Sequence, residues 1–301
     1  MNRSASNRKP PAPGKKPVAQ PASVGSFLGV FFMYVCRRVL LADTYWKMTI
    51  YVGAVTIGSL FTDMFPFPKT VFADKRNFIN QYFVKLGWGW TLSVLLLFVT
   101  LTSYTYCCGN KARVKRHLVR LAVATLGWYC FTSLFEIVEN ATGICDPMSP
   151  DNINKQSCKK AGGRWLGFDI SGHVFLLIHC LLTISEEAKC FSSWDRITDV
   201  ISSEEDESTR RLSSGERSEL KRLYNELTPY IRGLLVVLTL MTLVWEMMLL
   251  SSIIYFHNMP QKVCGCGFAV LCWMVTYRGW YKLTDLSPGL PGDGPFKFLR
   301  L

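Results

Sequence analysis

Few side chains in this sequence combine reactivity with a setting that can use it. The best placed lie in Phe168-Asp169-Ile170-Ser171-Gly172-His173. Ser171 and Gly172 allow a ligand to approach the backbone closely, and His173 can exchange a proton near neutral pH, which are features a phosphate-handling site needs. Asp169 stands four residues before His173, so a helix beginning there places both on one face, with the carboxylate orienting the imidazole. The competing reading is a histidine that only marks a membrane boundary. A second histidine, His257, follows a long apolar run. Of the remaining two, His117 sits among basic residues, and His179 is about 240° around a helix from His173, so both read as structural. Zinc-ligand spacing, a Gly-rich phosphate loop and a serine nucleophile elbow are all missing, so no metal or cofactor is expected.

The elements that must position these residues are apolar blocks. Hydrophobic residues make up 49% of 301 positions, and stretches such as 90–101 and 234–255 run almost without charge. A soluble domain interrupts such stretches with polar faces, whereas lipid burial requires none. The expected fold class is therefore all-α, a polytopic membrane protein with about six transmembrane helices and an N-terminal amphipathic helix. The spans fall near 45–65, 82–104, 118–138, 165–184, 230–256 and 262–281, within a membrane domain over 43–284. Residues 1–23 form a basic, Pro-rich tail expected to be disordered and cytosolic, with no apolar signal-peptide core. Residues 24–42 are hydrophobic but carry Arg37 and Arg38. A charge at mid-bilayer costs about 2.5–3.5 kcal/mol, so this segment reads as an interfacial helix with its arginines toward headgroups; a true span is the alternative. Residues 185–229 read as a cytosolic loop, disordered or partly helical, and 285–301 as a cytosolic tail.

The formal net charge of +12 could signal nucleic-acid binding, but the cations gather in the N-terminal tail and in short connections such as KARVKRH, so no nucleic acid is expected. An even span count puts both termini on one side, and the positive-inside rule makes that side the cytosol. His173, at the start of the fourth span, and His257, at the end of the fifth, then share the opposite, lumenal face. The loop 139–163 lies there too. Cys145 and Cys158 are candidates for a disulfide if that loop is lumenal, and Asn140, in the sequon Asn140-Ala141-Thr142, is a candidate for glycosylation. Glu136 and Glu139 read as boundary acids, while Glu246, well inside the fifth span, calls for a partner within the bundle.

Four stretches carry a family resemblance: Gly167–His173, Ile254–Asn258, the run 77–90 containing YFVKLGWGW, and Ser287-Pro288-Gly289-Leu290-Pro291. Together they resemble the fat storage-inducing transmembrane protein family, type 2 branch, over roughly residues 45–291. The resemblance implies an endoplasmic reticulum membrane protein needed for lipid droplet biogenesis and an activity related to the lipid phosphate phosphatases. That activity is an acyl-CoA diphosphatase, which splits fatty acyl-CoA into acyl 4′-phosphopantetheine and adenosine 3′,5′-bisphosphate. By the same resemblance Ser171-Gly172-His173 matches the second phosphatase motif and His257 the histidine of the third. His257 is then the nucleophile and His173 the general acid, with Asp169, Ser171 and Gly172 in support.

Two departures stand out. The third phosphatase motif has an arginine six residues before its histidine and an acid four after it, where this chain has Ser251 and Gln261. The first motif, a lysine followed by Arg-Pro, is missing. Charge on the transferring phosphoryl group must still be met, and Lys75, Arg76, Lys85 and Arg164 are the phosphate-binding candidates on the lumenal side. Expected partners are fatty acyl-CoA, neutral lipids and membrane lipid. The alternative function is a non-catalytic scaffold that binds neutral lipid at droplet budding sites.

Overall fold

A computed structural model of the chain describes residues 24–65, 67–68, 70, 86–147, 154–202, 212–283, 287–296 and 298–299. The N-terminal tail and the candidates Lys75, Arg76 and Lys85 lie outside the described residues. The described chain is all-α apart from one small hairpin. Its helices are α1 (Val24–Leu40), α2 (Thr44–Met64), α3 (Gly87–Tyr106), α4 (Lys111–Thr142), α5 (Lys155–Lys160), α6 (Gly172–Ala188), α7 (Arg196–Ser202), α8 (Ser214–Tyr255) and α9 (Met259–Trp273). Three of these, α3, α4 and α8, are long and apolar enough to cross a membrane by length and composition. Helices α2, α6 and α9 lie over the other three apolar blocks.

The outward faces are apolar. Ile50, Ile57 and Leu60 on α2, Leu126 and Ile137 on α4, and Leu240, Leu243 and Leu250 on α8 are all exposed. In water such patches mark interaction surfaces; on a bundle of long helices they fit lipid. Hydroxyls inside the bundle are turned back on the backbone: Thr102, Thr239, Thr242 and Ser252 each donate to the carbonyl four residues earlier, at 2.7 to 2.9 Å. This satisfies a polar group that has no water to meet.

Helix α6 is the axis of the bundle. Every residue from Val174 to Ala188 is buried, and the helix packs against α2, α3, α4, α8 and α9. A helix buried all round can be short and hydrophobic without showing lipid a face. The fourth span was expected from 165, but residues Arg164–Leu166 form β2, which pairs antiparallel with β1 (Ile144–Asp146), and α6 starts only at Gly172. The cause is local: Ser171 caps the helix by accepting from the Val174 N–H at 3.4 Å.

The described residues of 185–229 take the partly helical alternative: α6 runs to Ala188, α7 follows, and α8 begins at Ser214 and continues through Pro229 into the apolar block. A reciprocal capping box between Ser213 and Glu216 starts α8, and buried Leu220 and Leu223 hold its first turns on the bundle. The C-terminal segment also folds back. Phe296 and Phe298 are buried, and Phe298 packs 5.7 Å from Tyr106 and accepts through its carbonyl from Arg196 at 3.2 Å. On α1, Arg37 pairs with Asp195 at 2.6 Å and Arg38 donates to Tyr34 at 3.0 Å, so both arginines have protein partners as well as exposure to the surface.

Candidate functional site

The starts of α6 and α9 meet. The Ser171 N–H donates to the Gln261 carbonyl at 3.1 Å, a backbone bond between the two helix beginnings. Gly265, in the second turn of α9, makes this approach possible: a Cβ there would stand 2.5 Å from the Ser171 carbonyl oxygen. Ser171 is fully buried at the junction, so its role is to cap α6 and join it to α9. Gly172 has open space where a Cβ would project, leaving room beside the first turn of α6.

His257 occupies the short link between α8 and α9, in left-handed backbone geometry with φ of +55°. That conformation costs a non-glycine residue about 1–2 kcal/mol, and such strain gathers at sites where function dictates the side chain's direction. The His257 Nδ1 lies 3.2 Å from Gln261 Oε1, which also accepts from the Asn258 N–H at 3.4 Å. An amide oxygen can only accept, so Nδ1 carries the proton and Nε2 keeps its lone pair. Asp169 Oδ2 lies 3.7 Å from the same Nδ1. The sequence suggested that Asp169 orients His173 from a shared helix face. Because α6 begins at Gly172, Asp169 lies before the helix, with its carboxylate beside Nδ1 of His257.

His173 is the second residue of α6, with its ring centroid 6.3 Å from that of Phe256, the neighbour of His257. The two histidines are thus on one face of the bundle, joined through Asp169, Phe256 and the Ser171–Gln261 bond. The first turn of α6 also lies at this face, where the start of a helix favours negative charge. The start of α9 is spent differently: the Met259 N–H donates to Asp63 at 2.8 Å, and Pro260 has no N–H. Asp63 also lies 3.8 Å from Lys262, which is buried and donates to the Ile253 carbonyl at 2.7 Å, tying α2, α8 and α9 together beneath the site.

The flanking loop holds the remaining candidates. Cys145 and Cys158 form a disulfide with a Cα–Cα distance of 5.7 Å. Asn140 is exposed in the last turn of α4, with the Thr142 hydroxyl donating to the Val138 carbonyl and accepting from the Phe168 N–H. Arg164 is exposed on β2. Glu139 pairs with Lys155 at 2.6 Å, Glu136 is exposed, and Glu246 accepts from the Tyr51 hydroxyl at 2.8 Å, the bundle partner it called for. His179 is structural, bonded to the Ala124 carbonyl at 3.1 Å. Among the described residues no cluster of side chains could hold a metal ion.

Sequence reasoning missed Gln261, which it treated only as a lost acid; the Asn258-x-x-Gln261 capping spacing was the available signal. It also missed a charged cluster at the other end of α6. There Arg120 makes a bidentate pair with Glu187 at 2.8 and 2.7 Å, both fully buried, and Glu186 meets Arg278 at 2.6 Å and Trp273 at 3.0 Å.

Comparison with known proteins agrees with this architecture. The profile of the Fat storage-inducing transmembrane protein family matches residues 68–148 and 140–277. The chain is 39% identical over 300 residues to acyl-coenzyme A diphosphatase FITM2 of Drosophila melanogaster, covering 96% of this chain and 70% of that protein. It is 40% identical to its namesake in Xenopus laevis, covering 78% and 81%, and 37% identical to that of Homo sapiens, covering 80% and 84%. No solved structure matches. With the profile running from before α3 to beyond α9 and covering both histidine segments, the chain belongs to the fat storage-inducing transmembrane protein family.

Proposed function

We propose that this chain is an acyl-CoA diphosphatase of the endoplasmic reticulum membrane that serves lipid droplet formation, with His257 as nucleophile and His173 as general acid. The observation that carries the reading is the placement of two acceptors, Gln261 Oε1 and Asp169 Oδ2, at Nδ1 of His257, which leaves Nε2 to attack. Nε2 attacks one phosphorus of the diphosphate, forming an N–P bond. The bond from that phosphorus to the bridging oxygen breaks, and the oxygen departs with the other half of the substrate, taking a proton from His173. Water then cleaves the N–P bond and restores the imidazole. The products are acyl 4′-phosphopantetheine and adenosine 3′,5′-bisphosphate.

Negative charge on the phosphoryl oxygens meets the N–H groups at the start of α6, with Lys75, Arg76, Lys85 and Arg164 as the cationic contributors. The acyl chain and neutral lipid lie against the exposed apolar faces of the bundle. The Cys145–Cys158 disulfide beside the site favours an oxidising compartment, hence a site facing the lumen and both termini in the cytosol. Purified full-length protein incubated with oleoyl-CoA should release adenosine 3′,5′-bisphosphate, and the His173→Gln and His257→Asn variants should not. Asparagine tolerates the left-handed backbone at 257, so its loss of activity is not a loss of fold. Equal product from all three, or none from any, would leave a lipid-binding scaffold as the function.

A further inference from the structure

His257 stands in a link of three residues, Phe256, His257 and Asn258, between the end of α8 and the start of α9. Its left-handed backbone is a conformation that surrounding structure must impose. Gln261 sets which ring nitrogen carries the proton, but it belongs to α9 and moves with the link. Restraint from outside comes from the last turn of α2.

That turn grips the link on both sides. Before it, the Ile253 carbonyl, among the last of α8 and so without a helical partner, accepts from the Thr62 hydroxyl at 3.2 Å and from Lys262 Nζ at 2.7 Å. After it, the Met259 N–H, first of α9 and equally unpartnered by the helix, donates to Asp63 Oδ2 at 2.8 Å. Asp63 Oδ1 faces the Lys262 ammonium at 3.8 Å, so one carboxylate addresses the start of α9 twice. Its negative charge also suits a helix N-terminus. Lys262 is 1% exposed and Asp63 37%, so the carboxylate can be altered from the rim without opening the core. Tyr255, two residues before His257, adds a further tie: its hydroxyl accepts from Thr70, just beyond α2, at 3.0 Å.

We propose that Asp63 is a positioning residue for the diphosphatase reaction, holding the His257 backbone in its strained form by fixing Met259 and Lys262 against α2. The inference rests on His257 being the nucleophile. With the carboxylate gone, the Met259 N–H loses its acceptor and Lys262 its counter-charge, and the link relaxes toward ordinary backbone angles. Nε2 is then aimed at the phosphorus in a smaller fraction of molecules. Release of left-handed strain at one residue corresponds to about tenfold in that fraction. Asp63 bonds α9 and not the substrate, so acyl-CoA affinity is preserved.

The test uses full-length protein in phosphatidylcholine nanodiscs with oleoyl-CoA. Asp63→Ala should lower kcat by about tenfold, with KM within about twofold of the wild type. Asp63→Asn keeps an oxygen that can accept from the Met259 N–H and should stay within about threefold of the wild type. Lys47→Met is the structural control. Lys47, buried at the opposite end of α2, donates to the Ser185 hydroxyl at 2.8 Å and to the Leu40 carbonyl at 3.1 Å, and its loss loosens α2 away from the link. It should lower thermal stability and leave kcat unchanged. Hydrogen exchange read by mass spectrometry follows the restraint independently of catalysis: peptides covering 256–262 should exchange faster in Asp63→Ala than in the wild type or Asp63→Asn, with α3 and α6 unchanged. Wild-type kcat or unchanged exchange in Asp63→Ala, or an equal loss of kcat in Asp63→Asn or Lys47→Met, would overturn the proposal. A wild type that releases no adenosine 3′,5′-bisphosphate defeats the hydrolase reading instead, and exchange over 256–262 still decides whether Asp63 holds the link.

Discussion

Gln261 accepts two hydrogen bonds on one oxygen, from the His257 ring at 3.2 Å and from the Asn258 N–H at 3.4 Å. The backbone donor fixes which way the amide points, and the amide then fixes which ring nitrogen of His257 is protonated. A neutral residue so placed does the orienting that the related phosphatases assign to an acid, with Asp169 supplying the negative charge from a different segment. Gln261→Ala should lower kcat for oleoyl-CoA by about tenfold to a hundredfold, the range for losing an orienting hydrogen bond, with little change in KM. Gln261→Glu should retain most activity. Asp169→Asn, acting at 3.7 Å from a more open position, should cost less than Gln261→Ala. Steady-state rates for the three variants check this order.

The strained backbone at His257 predicts a trade between stability and function. His257→Gly should raise stability by about 1 kcal/mol while removing activity, because glycine adopts φ of +55° without penalty. His257→Val, β-branched in the same geometry, should destabilise. Thermal unfolding in a single detergent compares them directly.

Close contact between α6 and α9 depends on Gly265. Gly265→Ala brings a methyl to 2.5 Å from the Ser171 carbonyl oxygen, so the helices must part or bend, at a cost of about 1–3 kcal/mol. The same parting moves His173 relative to His257, so kcat should fall more than stability. Gly267→Ala, with open space around it, serves as the control and should change neither.

At the other end of α6, the Arg120–Glu187 pair is fully buried. Glu187→Gln or Arg120→Met should destabilise by about 3–5 kcal/mol, since each leaves an uncompensated charge or breaks a shared network. The double variant Arg120→Met/Glu187→Met should recover much of that loss. A double-mutant cycle on thermal unfolding measures the coupling.

Much of this architecture is legible in the sequence because lipid burial writes it plainly: apolar blocks give α2, α3, α4, α8 and α9, and Ser171-Gly172-His173 marks a helix start. What stays hidden is pairing across sequence distance. Asp169 looks like a partner for His173 because the two are close in the chain, yet the cap at Ser171 places Asp169 before the helix, beside a histidine 88 residues away. Glu186 and Glu187 look like the start of a polar loop, yet Arg120, Arg278 and Tyr277 neutralise or bond them inside the bundle. The Pro- and Gly-rich ending reads only as a tail, and the arginines and histidine of α4 help explain why it lies folded over that helix.

The central claim is that His257 takes up the phosphoryl group through Nε2. A single turnover with oleoyl-CoA labelled with ³²P in the diphosphate, quenched in base and digested, measures it directly, because a phosphoramidate on histidine survives base. The account predicts label on the peptide containing His257 in the wild type and in Gln261→Glu, and none in His257→Asn. Turnover by the wild type with label elsewhere or on no residue, together with normal hydrolysis by His257→Asn, would contradict it.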